Sequence, residues 1–264
     1  MSISVGNDKS LKYKIIVSNN KIEEYHDSKI EISGKRIKFI SNGDYTLEYV
    51  NSNDINLDIE ILDGVCVKLF IISGDNDLLV RNHYHLGENS NLLLFKFYYN
   101  KSIDEEVIFD LNGDKAMVSY NFSSITFNNE EYHIIVNHNE NKVSSKISNR
   151  CVGLDGSKIS LVIDSNLDKG NIDCVMEQNS RILTLGDVNA SIVPNMYIDE
   201  DSVEARHGSV IGRIRPEEIF YLMSRGITEE EAVTLIVKGL IFSNLIVDME
   251  RRARIFQMLQ ELKI

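Results

Sequence analysis

Two histidines separated by a single residue, in the segment VRNHYHLG, have a spacing that could support metal chemistry. In an extended strand His83 and His85 lie on the same face, because successive side chains alternate between the two faces. Imidazole nitrogens bind transition metals, so the pair can supply two ligands. The neighbouring sequence offers no third ligand, and the pattern therefore favours a polar strand face.

The spacing of the three cysteines indicates neither a disulfide framework nor a metal site. Cys66, Cys151 and Cys174 are odd in number and far apart, which fits neither a disulfide framework nor a CxxC metal site. We expect buried free thiols.

His207 lies in EARHGSVIGRIRPEEIFYLMSRGIT, where strand-like alternation gives way to a helix beginning at a proline. No partner for this histidine is evident in the segment.

Motifs of several common enzyme classes are absent. The chain contains no GxxxxGK[ST] phosphate loop, no GxGxxG fingerprint, no GxSxG elbow and no HExxH segment. Nucleotide hydrolysis, dinucleotide binding, serine hydrolysis and zinc proteolysis therefore lack support. We predict that the chain is not an enzyme and binds no nucleotide. One enzymatic alternative stays open, because a β-helix can bring together carboxylates for polysaccharide cleavage from distant positions.

An excess of acidic residues limits the partners of the chain. Its 264 residues include 40 acidic and 28 basic ones, giving a formal charge of −12 that repels nucleic acid and anionic lipid. Apolar runs such as IFYLM at 219–223 are too short to cross a bilayer, and MSISVGNDKSLKYK lacks the apolar core of a signal peptide. We expect a soluble, cytoplasmic protein with no membrane or nucleic-acid partner, in which about the first 12 residues are disordered.

Short β-rich runs such as KYKIIVS, VKLFIIS and KISLVID dominate the chain up to residue 205, and each ends in Asn, Asp, Gly or Ser. Val, Ile, Tyr and Phe suit a half-buried strand, while Asn and Gly tolerate the left-handed backbone of tight corners. Two prolines and few tight hairpin signals argue against a meander. Because no strict repeat length is found, these features favour a β-sandwich and a β-solenoid equally.

The pattern changes after residue 215, where three helices are predicted. Pro216 suits the first position of a helix, and Gly226 suits its end. Thr228 and Glu231 form a capping box for a second helix. A third helix is expected to expose its arginines, which are Arg251, Arg252 and Arg254. The chain thus divides into an all-β body at residues 1–205 and a strand-to-helix junction with a helical module at residues 206–264.

Residues 180–240 resemble the SufB/SufD family, components of the SUF machinery that assembles iron–sulfur clusters. The resemblance rests on the segments LTLGD, VPNMYI, DED, RHG, FYLMSRGI and EEEAVTLIVKG. FYLMSRGI followed by EEEA is the most specific, since it joins an aromatic pair, a helix stop and a second helix start. Weaker similarity covers LVRNHYHLGENSNLLLFKFYY. Family members usually carry additional helical sequence at the N-terminus, so the chain looks like a short version.

The resemblance implies a right-handed parallel β-helix with C-terminal helices, which decides between solenoid and sandwich. It implies dimerisation near the C-terminal rungs, with a second copy or with another family member. It further implies that the helical module docks on a SufC-type ABC ATPase, which would hydrolyse the ATP. We assign this docking to five residues of the module, Phe220, Tyr221, Arg225, Gly226 and Glu231.

For His207 the resemblance implies a place at the dimer interface and ligation of a transient iron–sulfur cluster; a structural histidine is the alternative. Imidazole can ligate cluster iron. Where the scaffold member SufB carries a cysteine, this chain has Ser180, whose hydroxyl is a poor iron ligand and cannot carry persulfide sulfur. Cys174, six residues earlier, is a candidate substitute. We therefore expect either a scaffold-like subunit or a SufD-like structural partner that binds no cluster.

Overall fold

The computed structural model describes residues 14–19, 21–23, 28–74 and 76–260, so the segment expected to be disordered lies outside the described residues. Within them, strands are followed by three helices. The strands are β1 (Lys14–Ser18), β2 (Lys21–Ile22), β3 (Ile30–Ser33), β4 (Arg36–Phe39), β5 (Gly43–Val50), β6 (Asp54–Ile61), β7 (Cys66–Gly74), β8 (Leu78–Leu86), β9 (Asn91–Tyr99), β10 (Ser102–Leu111), β11 (Met117–Thr126), β12 (Asn129–His138), β13 (Ser144–Gly153), β14 (Lys158–Leu167), β15 (Cys174–Thr184), β16 (Asn189–Ile198) and β17 (Val203–Gly212). The helices are α1 (Pro216–Met223), α2 (Glu229–Asn244) and α3 (Met249–Gln260).

The strands form a parallel β-solenoid made of two long sheets. Odd-numbered strands from β5 to β17 stack in a nine-stranded sheet that begins with β2 and β1. Even-numbered strands from β4 to β16 stack with β3 in an eight-stranded sheet. From β4 onward each strand pairs in parallel with the strand two places later, so every turn adds one strand to each sheet. The predicted β-helix with a small helical module is confirmed.

Alternation of side chains explains why these segments are strands. In β14 the residues Ile159, Leu161 and Ile163 point inward and are buried, whereas the residues between them face outward. Each buried aliphatic side chain contributes about 1.5–3 kcal/mol. At the corners, Asn89 has φ 53° and Gly64 has φ 70°, in the left-handed region predicted for such turns.

Helices α2 and α3 cover the outer face of the nine-stranded sheet. Val237 and Ile241 of α2 and Ile255 and Leu259 of α3 are buried in one apolar cluster with outward-facing residues of β7, β9, β11, β13 and β15. Asn244 at the end of α2 donates hydrogen bonds to two strand carbonyls, at 2.8 and 2.9 Å. The segments CVKLFIISG and NLLLFKFYY are therefore buried on both faces for much of their length.

The start of the helical module follows the predicted signals. Pro216 occupies the beginning of α1, and Gly226, with φ 87°, follows its end. Thr228 and Glu231 form the capping box of α2. The predicted boundary after residue 205 falls inside β17, which runs on to Gly212 before the helices begin. None of the helices in the described part of the chain is long and apolar enough to cross a membrane.

The arginines of α3 depart from expectation. Arg252 is exposed as predicted. The Arg251 side chain is only 12% exposed, with its Nη1 atom 2.6 Å from Asp44 Oδ1. Arg254 donates a hydrogen bond to Glu48 at 3.0 Å. The prediction of solvent-facing side chains was wrong for Arg251, whereas the Arg254 side chain stays 40% exposed. Carboxylates on the outer face of β5 pair with both arginines and fix α3 on the sheet.

Candidate functional site

The last turn of the solenoid leaves an open end, which we call the terminal rung and define as β16 and β17. β16 pairs with β14 and β17 with β15, and no other described strand pairs along their outer edges. Inward-facing apolar residues of β16 and β17 are only partly buried against the core. Four large apolar side chains of the rung are exposed by 43% to 58%, namely Val193, Tyr197, Val210 and Ile211. Unpaired edges beside exposed apolar side chains are typical of a protein-binding surface.

His207 lies in the middle of β17, opposite Gln178 of β15. Because paired residues of stacked parallel strands face the same way, His207 belongs to the inward-facing row, above the buried Gln178. Gln178 crosses the interior, where its amide nitrogen donates to Ser165 Oγ at 2.8 Å and to the Asn195 carbonyl at 3.0 Å. His207 itself is exposed, and no described residue hydrogen-bonds to its ring. Its imidazole is therefore accessible at the open end.

Ser180 lies two residues further along β15, opposite Ser209 of β17. Its side chain is buried, and its hydroxyl accepts a hydrogen bond from the Asn149 amide at 3.0 Å. At this position the inward-facing row beneath β17 therefore carries a hydrogen-bonded hydroxyl where a thiol would be needed.

The thiols are distributed away from His207. Cys174 begins β15, where it pairs with Val203. It lies four residues before Gln178, the residue opposite His207, and four residues of a strand span about 13 Å. Its Sγ lies 3.4 Å from the Glu140 carbonyl oxygen, and burial raises the pKa of the thiol. Cys151 is buried, and burial raises its pKa as well. The expectation of buried thiols was wrong for Cys66, which is exposed because it starts β7 facing outward. The structure therefore does not bring Cys174 and His207 together.

The residues assigned to docking on an ATPase fall into two groups. Phe220 and Tyr221 are 74% and 57% exposed on α1, a helix that buries none of its residues. The Arg225 guanidinium lies 5.2 Å from the centroid of the Tyr221 ring, and its Nη2 donates to the Tyr221 hydroxyl at 3.2 Å. We call these three residues the α1 surface.

The other two assigned residues have local roles in the helices. The N–H of Gly226 donates to the Met223 carbonyl at 3.0 Å, in a left-handed conformation that ends α1. The Glu231 carboxylate accepts a hydrogen bond from the Thr228 N–H at 2.9 Å, and its hydrogen bonds with Thr228 lower the pKa of Glu231. Capping and helix termination account for both positions.

A groove of about 630 Å³ adjoins the α1 surface. Its apolar lining includes Leu183 of β15 together with Ile236 and Leu240 of α2, and charged side chains from β15 and α1 also line it. Arg215, which follows β17, holds Glu218 through an Nε to Oε1 hydrogen bond of 3.0 Å and lowers the pKa of that carboxyl. The groove thus lies between the strand that underlies β17 and the exposed helix.

A second polar cluster lies on the outer face of the eight-stranded sheet. His83 and His85 of β8 meet Asp110 of β10, with all three ligand atoms within 4.8 Å of one another. The histidine pair could be recognised from the local sequence. The carboxylate could not, because Asp110 lies in the next turn of the solenoid. The spacing of the turns would have been the signal needed to find it.

Comparison with known families identifies the chain. A family model described as SUF system FeS cluster assembly, SufBD core domain, matches residues 66–240, which is well over half of the chain. The chain belongs to the SufBD family. The matched region of this SufBD protein extends from β7 into α2 and so includes both the terminal rung and the α1 surface.

Individual relatives match shorter segments of this SufBD protein. The iron–sulfur cluster assembly protein SufD of Bacillus subtilis is 46% identical over 70 residues, 25% of this chain and 15% of that protein. A SufBD family protein of Pyrococcus horikoshii is 37% identical over 81 residues, 31% of this chain and 17% of the relative. A Methanocaldococcus jannaschii member is 29% identical over 111 residues, 40% and 33% of the two chains. The chain therefore spans no more than a third of the length of these relatives in the matched segments.

Proposed function

We propose that this SufBD protein is a subunit of an iron–sulfur cluster assembly complex, with a non-enzymatic role beside a SufC-type ATPase. The proposal rests on the match of the SufBD core domain across the terminal rung and the α1 surface. The relatives named for iron–sulfur cluster assembly support the same role. The family match favours this function over cleavage of polysaccharide.

The terminal rung is the proposed dimer interface, with a second copy or another SufBD protein as partner. A parallel strand edge can pair with a partner edge, and the exposed side chains Tyr197 and Val210 would be buried in the process. Tyr197→Lys and Val210→Lys should each weaken association at least about tenfold, a loss of about 1.4 kcal/mol. Leu79→Lys, at an exposed position of β8 on the eight-stranded sheet, is the matched control. Sedimentation measured alone and with a second family member would detect the loss, and unchanged association of both variants would contradict the assignment.

The α1 surface is the proposed contact with the ATPase. Phe220 and Tyr221 provide the exposed aromatic anchors that binding energy usually requires, and Arg225 holds the Tyr221 ring in place. Tyr221→Asp and Arg225→Glu should reduce co-purification with the ATPase while the circular dichroism spectrum stays that of the wild type. Leu79→Asp should leave co-purification unchanged. If both α1 variants retain the ATPase at wild-type levels, the surface is wrongly assigned.

His207 is the proposed cluster ligand of the scaffold version of this function. The exposed imidazole at the open end could meet further ligands from the partner across the dimer interface. Anaerobic reconstitution with iron and sulfide should therefore give less bound cluster for His207→Ala than for the wild type. The chain should be assayed both alone and with its partner, because the partner would supply the missing thiolate.

A second version, a SufD-like structural partner without a cluster, is favoured by the environment of Ser180. Its buried, hydrogen-bonded hydroxyl replaces a thiol, and Cys174 lies about 13 Å along the strand from the position opposite His207. The absence of cluster from both wild type and His207→Ala would support this version, whereas equal, non-zero cluster content would exclude His207 as a ligand and place the cluster elsewhere. Dimer and ATPase binding would then be retained while His207 is excluded as a ligand.

A further inference from the structure

The outer face of the eight-stranded sheet carries rows of polar side chains across successive turns. In this arrangement β8 lies between β6 and β10. His85 is opposite Asp110, and His83 is opposite Asp58. Two histidines on one strand thus lie between carboxylates supplied by the strands on either side. This cluster is on a different sheet from His207.

Both histidine rings approach the same carboxylate oxygen. Asp110 Oδ2 lies 2.6 Å from His83 Nε2 and 3.5 Å from His85 Nδ1, and the ring centroids are 4.0 Å apart. In a tetrahedral zinc site, bonds of about 2.0–2.1 Å place neighbouring ligand atoms about 3.3 Å apart. The two observed separations lie on either side of this value, and all three ligand atoms lie within 4.8 Å of one another, so side-chain rotations would bring the atoms to it.

Neighbouring groups orient these ligands. The Asn137 amide donates to Asp110 Oδ1 at 2.7 Å, which leaves Oδ2 directed at the histidines. The Asn166 amide in turn donates to Asn137 Oδ1 at 2.8 Å. Asp58 Oδ1 lies 3.0 Å from His85 Nε2. A histidine that binds metal through Nδ1 carries its proton on Nε2, and a carboxylate is the usual acceptor of that proton.

We propose that His83, His85 and Asp110 bind a divalent transition-metal ion of the zinc class. Two imidazole nitrogens and one carboxylate oxygen are ligands that suit zinc, and the partial exposure of 39%, 31% and 18% leaves a fourth position open to water. The ion joins two adjacent turns of the solenoid, because its ligands come from β8 and β10. Binding therefore stabilises the folded chain.

The same sheet contains a natural control with one histidine fewer. His133 Nε2 lies 2.7 Å from Asp164 Oδ2, and the Asn195 amide donates to Asp164 Oδ1 at 2.7 Å. Ile135, opposite Asp164, takes the place that His85 has opposite Asp110. Ile135→His therefore reproduces the full ligand set, whereas His133→Gln removes a histidine from a cluster that lacks the second imidazole.

The test is a titration of the full chain, free of any histidine tag, with Zn²⁺ in competition with a chromophoric chelator. All variants are made in a His207→Ala background, so that the proposed cluster ligand does not contribute. One ion should bind per chain. His83→Gln, His85→Gln and Asp110→Asn should each weaken binding by more than the roughly 10–100-fold that loss of an orienting neighbour costs. His133→Gln should bind like the background, and Ile135→His should add a second ion.

Cobalt provides a spectroscopic readout of the same ligands, because bound Co²⁺ should show visible absorption that is lost in His85→Gln. Circular dichroism confirms that each variant is folded. If Asp110→Asn does not fold, the metal affinities of His83→Gln and His85→Gln decide whether the site is correctly assigned. The proposal is overturned if the background protein binds no Zn²⁺. It is equally overturned if binding persists in both His83→Gln and His85→Gln, since the ion would then be held elsewhere.

Discussion

A buried carboxyl inside the solenoid gives a sharp test of the interior electrostatics. Glu130 faces inward from β12 and is fully buried. Its Oε2 accepts hydrogen bonds from Ser124, Thr126 and Tyr132 at 2.7, 2.7 and 3.0 Å. Its Oε1 has no partner among the described residues. Burial raises the pKa of Glu130 from 4.5 to about 7, although the three hydrogen bonds oppose the shift.

The direction of the resulting pH dependence follows from proton counting. Between pH 4.5 and about 7 the folded chain holds the Glu130 proton, whereas the unfolded chain releases it. The free energy of unfolding therefore decreases as the pH rises through this window. At about 1.4 kcal/mol per pH unit, the contribution lost is about 3 kcal/mol. Glu130→Gln stays neutral throughout, so the variant should gain this amount relative to wild type between the two pH values.

Urea unfolding followed by circular dichroism at a series of pH values measures the difference between wild type and Glu130→Gln. Imperfect packing of the Gln amide would change the free energy of unfolding by the same amount at every pH. The test therefore uses only the slope of the difference between the two proteins against pH. Glu131→Gln is the matched control, since the neighbouring Glu131 pairs with Lys158 at 2.7 Å on the outer face and has a lowered pKa. Its difference from wild type should stay flat over the same window. A flat difference for Glu130→Gln would refute the reasoning, because it would mean that the hydrogen bonds outweigh burial and keep the carboxylate ionised.

Three further predictions follow from buried groups. Burial lowers the pKa of His138 from 6.5 to about 4, so wild type should lose up to about 3 kcal/mol relative to His138→Asn as the pH falls through this range, measured by the same unfolding series. Alkylation of the native protein, followed by mass spectrometry, should modify Cys66 before Cys151 and Cys174, and comparable rates would contradict the burial assigned to the latter two. Lys96→Met should lower the free energy of unfolding by about 3–5 kcal/mol, because it leaves the buried carboxylate of Glu105, the ion-pair partner of Lys96, unpaired. A loss below about 1 kcal/mol in urea titrations would contradict this.

The helical module could be predicted closely from sequence because its signals are local. Pro216, Gly226 and the capping box of Thr228 and Glu231 act within one or two turns of their own helix. The facing of α3 was less predictable, because Arg251 and Arg254 pair with carboxylates of β5, roughly two hundred residues earlier in the chain. Composition alone could not reveal that distant acidic row.

The solenoid itself could not be derived from a repeat, and the register shows why. Ile103 pairs with Leu78, Glu130 with Ile103, Ile159 with Glu130 and Ala190 with Ile159, which are offsets of 25, 27, 29 and 31 residues. In the eight-stranded sheet these offsets lengthen along the chain, and in the nine-stranded sheet they vary without a steady trend, for example 31 residues from Ser144 to Val175 and then 29 from Cys174 to Val203. No fixed period therefore exists to be found. The family resemblance was needed to choose the fold.

Because the turns have no fixed period, two polar sites could not be recognised from the sequence. Asp110 reaches His83 and His85 only because one turn happens to separate them, and a search of neighbouring residues cannot see this contact. The residues that flank His138 in the sequence are polar, a pattern typical of a surface position. His138 is buried instead, since it faces inward and hydrogen-bonds to the Asn166 carbonyl and the Ser145 hydroxyl. For both sites the deciding neighbours lie in strands that the local sequence does not identify.

The unequal anchoring of the helices indicates how the two proposed surfaces could communicate. α2 is fixed by Asn244 and by its buried apolar residues, and α3 is fixed by Arg251 and Arg254. α1 buries none of its residues and follows β17 after a connection of only three residues, 213–215. Force applied by a partner to the α1 surface would therefore move α1 more readily than α2 or α3. Because β17 is an edge strand held on one side, the displacement would reach the terminal rung and His207 before it reached the interior of the solenoid.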